Sequence, residues 1–147
     1  MTKIDVGKLY EMIKDRPFEP TNSIFSENNI KDNQVRYLYK NSDKVFNVTL
    51  QTMIGLKPAL ERYEEDNGEM PSSDTVIDVD CIIELITKQP ITYYAVVKIS
   101  KEMDGRDLTL RAVRNLYLGN SDVKNIRGET ALKLSEIAKS LAKEGKL

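Results

Sequence analysis

At 147 residues with a net charge of −1, the chain suits one domain able to bury a core without metals or disulfides, and its charge offers no general attraction to nucleic acid. Hydrophobic residues at 40% and charged residues at 31% are ordinary for a folded protein; one cysteine, Cys81, excludes an internal disulfide framework and fits a reducing compartment. With no histidine, Ser-His-Asp and Cys-His nucleophile systems and imidazole metal ligation are excluded, leaving acid–base chemistry to carboxylates, lysines and tyrosines.

From the N-terminus, Val6, Leu9, Tyr10 and Ile13 follow the spacing of one helical face, which predicts a helix near 4–15. Thr2 or Asp5 can cap its start, and Pro17 ends it. The start carries no apolar signal core and no apolar run is long enough to cross a bilayer, so a cytoplasmic protein that avoids membranes is expected. Residues 18–34 are rich in turn formers and read as a loop or arm that Phe18, Ile24, Phe25 and Ile30 tack onto the core or another subunit.

Residues 35–50 read as a hairpin turning at 41–44, which places Val35, Tyr37, Tyr39, Phe46, Val48 and Leu50 on one face. A second helix is expected near 56–66, with Pro58 in its first turn and Asn67-Gly68 as its stop. Residues 78–88 satisfy both strand and helix spacing, and their β-branched content favours a strand. Asp104-Gly105 signals a hairpin over 91–118, pairing Ile99 with Leu110, Val97 with Ala112 and Tyr93 with Leu116. A closing helix is expected near 128–144, with Ala131, Leu134, Ile137, Ala138 and Leu141 facing the core. The expected fold is therefore α+β: one compact domain over 1–147 whose mainly antiparallel sheet comes from two hairpins, with three helices and no long internal repeat.

Arg114 is the anomaly in that arrangement, a guanidinium opposite Ala95 on an apolar strand face. Three explanations compete. It pairs with Glu84, Asp78 or Asp80, or the face changes role there and this end meets solvent, or it joins Arg106 and Arg111 in holding a phosphate or carboxylate ligand. Asp78 and Asp80 would share a strand face and offer a weak Mg²⁺ site; a solvated face is the commoner explanation of such spacing. Tyr37, Tyr39 and Phe46 read as core aromatics, and Cys81 as a buried, inert thiol. Without a glycine-rich phosphate loop, the residues favour a non-enzymatic binding or adaptor protein, of bacterial or phage accessory type, that uses protein–protein contacts, needs no cofactor and has room to self-associate as a homo-oligomer. The alternatives are capture of a phosphate-bearing small molecule or nucleic-acid end by Arg106, Arg111 and Arg114, and, more remotely, Mg²⁺ chemistry at Asp78 and Asp80.

Overall fold

Two five-residue stretches, TKIDV at Thr2–Val6 and TVIDV at Thr75–Val79, organise the molecule. In the computed structural model, which describes residues 2–104 and 107–147, they pair with one another. Strands β1 (Lys3–Asp5) and β2 (Val76–Asp78) form a two-stranded antiparallel sheet with Ile4 opposite Ile77. Each strand runs straight into a helix, α1 (Val6–Asp15) and α5 (Val79–Lys88), because an aspartate ends the strand and caps the helix. Asp5 accepts from the Lys8 amide, and Asp78 accepts from the Cys81 amide. Both helices end on a left-handed residue, Arg16 at φ 49° and Gln89 at φ 48°, followed by Pro17 and Pro90.

The parallel continues along the chain. After α1 come α2 (Ser23–Ser26), α3 (Asp32–Lys40), a 3-10 turn at Ser42–Asn47 and α4 (Leu50–Asn67). After α5 come α6 (Tyr93–Lys101), α7 (Leu110–Tyr117), a 3-10 turn at Val123–Asn125 and α8 (Gly128–Lys143). VRYLYKNSD, from Val35 to Asp43, matches VRNLYLGNSD, from Val113 to Asp122. The chain is thus two versions of one β-α-α-α-turn-α unit, a repeat that the sequence reading missed. Few identical residues are shared, and the connections between the matching blocks differ in length.

The halves meet as a symmetric dimer would, each giving and receiving the same contact. Val6 N–H donates to the Thr75 carbonyl and Val79 N–H to the Thr2 carbonyl, at 2.9 and 3.0 Å. Thr49 and Arg127, the residues before α4 and α8, form an antiparallel bridge; Leu50 N–H donates to Ile126 and Gly128 N–H to Val48. Helix α1 packs on α4 and α5 on α8, while α4 and α8 each cross to the other half's 3-10 turn. Ile4, Leu9, Ile13, Leu56, Ile77, Ile82, Leu85 and Leu134, drawn from both halves, lie in one continuous core. No described helix is long and apolar enough to cross a membrane.

The two-hairpin sheet is overturned, since the described residues are mostly helical with one short two-stranded sheet. Residues 35–50 hold α3 and its turn, and 91–118 hold α6 and α7. Hydrophobic alternation misled because it coexisted with helical spacing. Val35 and Leu38 are buried three apart, and Val113, Leu116 and Tyr117 share one helical face. The deciding signals were Thr92 and Thr109, whose side chains cap α6 and α7 by accepting from Ala95 and Ala112. Of the proposed turn, Asp104 belongs to no helix or strand and Gly105 lies outside the described residues.

Residues 78–88 form a helix entered from β2, not a strand. The segment 18–34 contains α2 and the start of α3, and Phe25 and Ile30 from it are buried. The expected helices near 4–15, 56–66 and 128–144 are present, although α4 begins at Leu50, so Pro58 lies in its interior. Gly68, at φ 91°, ends that helix as expected.

Candidate functional surface on the second half

With α6 and α7 in place of the expected strands, Arg114 moves from a strand face to the outside of α7. It is exposed, and no hydrogen bond or ion pair holds it among the described residues. Glu84, one expected partner, pairs instead with Lys88 at 3.4 Å. Arg36 occupies the matching position of α3 and pairs with Asp32 at 3.7 Å. In α7, Leu110 replaces that aspartate, which leaves Arg114 without its local carboxylate.

Around Arg114 lies a surface that the strand register concealed. Tyr93 and Tyr94 open α6, their rings stacked at 4.6 Å, and the Tyr93 ring meets Tyr117 edge-on at 6.1 Å. The adjoining Tyr94 hydroxyl is the main cause raising the Tyr93 hydroxyl above its ordinary pKa, while the Arg114 charge pulls it down. Tyr94 is 62% exposed, Leu118 57% and Leu110 40%. Leu110, Arg114 and Leu118 recur every four residues along one side of α7, and Arg111 is exposed beside them. On α6, Tyr94, Lys98 and Lys101 also lie outward at helical spacing. Helices α6 and α7 pack together and carry four cations and no carboxylate.

The remaining expected site residues are placed as follows. Arg106 lies outside the described residues. Asp78 and Asp80 do not act together. Asp78 is buried as the cap of α5, whereas exposed Asp80 accepts from the Thr2 amide at 2.8 Å. Among the described residues, no group of three or more cysteine, aspartate and glutamate side chains is arranged to hold a metal ion. Cys81 is half-buried, not fully buried, and burial followed by the neighbouring Asp78 pushes its thiol pKa up, a poor setting for a nucleophile. Of the expected core aromatics, Tyr37 is 52% exposed, while Tyr39 and Phe46 pack against the core.

A cleft of about 710 Å³ lies beside α2 and the start of α3, and three more of about 700 Å³ lie against α4 or α8. One, of about 740 Å³, lies between α1 and the end of α4, where its polar groups are largely committed. Lys8 pairs with Glu64 at 3.1 Å, Tyr63 donates to Asp15 at 2.7 Å, and Ser73 bonds Asp5. The other two are counterparts in the repeat, at about 690 and 700 Å³, formed between the starts of α3 and α4 and the starts of α7 and α8. Gly55 lines the first and Lys133 the second. The Lys133 ammonium is buried and donates to the Ser100 carbonyl at 3.3 Å, with Asp107 at 3.9 Å. Arg111 and Arg114 line none of the three.

Sequence reasoning selected Arg111 and Arg114 but missed Tyr94, Leu110 and Leu118. The four-residue spacing of Leu110, Arg114 and Leu118 was the available signal. No family model matches the chain, and no curated protein or solved structure matches it either.

Proposed function

We propose that this chain is a non-enzymatic binding protein that engages a protein partner through the outer face of α6 and α7. The observation that carries this reading is Tyr94, stacked on Tyr93 and largely exposed on α6, with the exposed, unpaired Arg114 on the α7 that packs against it. Tyrosine and arginine contribute strongly to protein interfaces because they combine large contact areas with directional bonding. Exposed Leu110 and Leu118 add apolar area that solvent does not favour. The test is affinity capture with the wild-type chain and with Tyr94→Ala/Arg114→Ala, both verified as folded by their unfolding midpoints. A set of proteins retained by the wild type and lost by the variant is expected; identical capture by both would overturn this use of the face.

Capture of a phosphate-bearing small molecule or nucleic-acid end is a second reading, favoured by Arg111 and Arg114 having no acidic partner on their own helix. Native mass spectrometry separates the two. A retained adduct of a few hundred daltons that disappears in Arg114→Ala supports the ligand, and a bare chain removes it.

A further inference from the structure

We infer that the partner segment taken by the α6–α7 face is acidic and amphipathic, an inference that rests on the protein-binding reading above. Charge supplies the first argument. Residues 1–75 contain ten basic and thirteen acidic residues, whereas 76–147 contain twelve and ten. Lys98, Lys101, Arg111 and Arg114 fall on two packed helices that have no carboxylate of their own. The matching α3 carries Asp32 among its cations, so this one-sided charge belongs to the second half. A partner presenting carboxylates would supply the counter-charge that Arg114 lacks, with the guanidinium fork offering bidentate contact.

Apolar spacing supplies the second argument. Leu110, Arg114 and Leu118 span about 12 Å of α7, which is about two turns, so a short helix laid alongside can meet all three. Apolar side chains of such a helix would cover Leu110, Leu118 and Tyr94, while its carboxylates face the arginines. Nucleic acid fits less well, because exposed leucines gain nothing from a phosphate backbone. A second copy of this chain also fits less well. Its acidic stretch at Glu61–Asp66 has Glu64 committed to Lys8 and offers no largely exposed apolar side chain.

The test uses fluorescence anisotropy with a labelled synthetic helix of leucines at i, i+3, i+4 and i+7 and glutamates elsewhere. Its controls are a scrambled peptide of the same composition, a version with lysine for every glutamate, and a labelled oligothymidylate. The acidic amphipathic peptide should bind the full chain best. Binding should weaken roughly tenfold or more in Arg111→Glu/Arg114→Glu, and the lysine peptide should bind that variant better than the wild type. Arg36→Glu on α3 should leave binding unchanged. Equal binding of the scrambled peptide, stronger binding of oligothymidylate, or no binding of any probe would overturn the acidic amphipathic assignment. So would concentration-dependent self-association abolished by the double variant. Failure of the peptide while capture remains sensitive to Tyr94→Ala/Arg114→Ala would leave the protein-binding reading standing; loss of that sensitivity would remove both.

Discussion

The two halves share a scaffold and differ in what they do with it. Each closes with the same clamp between the end of its first helix and the tyrosine of its VRxLY stretch. Arg16 donates to the Tyr39 carbonyl at 2.8 Å, and Gln89 donates to the Tyr117 carbonyl at 2.9 Å. The tyrosine hydroxyls reply, Tyr39 to the Phe18 carbonyl and Tyr117 to the Ile91 carbonyl. The caps and the clamp therefore preserve the unit, while the positions between them are free to diverge. In the first half that freedom gives the four-residue α2 and the paired Arg36. In the second it gives the nine-residue α6, unpaired Arg114 and an exposed tyrosine.

The largest difference expected on perturbation is at Gly55 and Lys133, matching positions in α4 and α8. A Cβ at Gly55 would lie 2.8 Å from the Asn28 carbonyl, so the glycine lets backbone approach where Lys133 extends a side chain to the Ser100 carbonyl. Gly55→Ala should cost about 1–3 kcal/mol through overpacking, whereas Lys133→Met should change stability by less than about 1 kcal/mol, because an apolar chain of similar volume avoids burying the charge. Urea unfolding of both variants measures the contrast, and equal costs would break it.

The helix caps should respond more evenly. Asp5→Ala and Asp78→Ala should each cost about 1 kcal/mol, with Asp5 the costlier because Ser73 also bonds it through its amide and hydroxyl. Burial pushes the Asp5 carboxyl up, but the Ser73 and Lys8 hydrogen bonds outweigh it and hold the pKa below 3.8. That contribution is present above 3.8 and lost as pH falls through the lower folded value. Asp5→Asn should therefore flatten the acid limb of stability, read as the unfolding midpoint between about pH 5 and pH 2.

The clamp tyrosines set the alkaline limb. Burial pushes Tyr117 up to about 12, and it is also the leading cause raising Tyr39. Stability from a raised tyrosine is complete below the unfolded value of 10.0 and is lost as pH rises through the folded one, about 12 for Tyr117. The unfolding midpoint should fall above pH 10, and Tyr117→Phe should remove part of that slope. At neutral pH, Tyr39→Phe and Tyr117→Phe should each cost about 0.5–1.5 kcal/mol by losing one hydrogen bond. Values that agree would support mechanical equivalence of the clamps. The smallest effect is expected at Arg114→Ala, within about 0.5 kcal/mol for an exposed, unpaired side chain; a larger loss in urea unfolding would make Arg114 a structural residue.

Legibility in the sequence followed the strength of local signals. The first helix, the end of α4 at Asn67-Gly68 and the last helix were readable because caps, stops and apolar stripes agreed. Residues 35–50 and 91–118 were not, because alternation and an Asp-Gly pair outweighed the Thr92 and Thr109 caps and the spacing of Val113, Leu116 and Tyr117. Arg114 stood out only because it was assigned to the wrong element, yet it belongs to the surface proposed here. Tyr94 drew no notice, since a strand register had placed its neighbour Tyr93 in the core.

By itself the sequence determined where helices could start and stop, because aspartate and threonine caps, proline and glycine act within a turn of their own positions. It also excluded histidine chemistry and internal disulfides outright, since the required groups are absent. Tertiary structure decided that TKIDV and TVIDV meet each other, because pairing between segments so distant depends on both helices finding a shared core. It likewise decided which cations are neutralised. Arg36 and Arg114 sit in nearly identical stretches, and a single carboxylate one turn away, present at Asp32 and replaced by Leu110, separates a paired residue from an unpaired one once both stretches are helical.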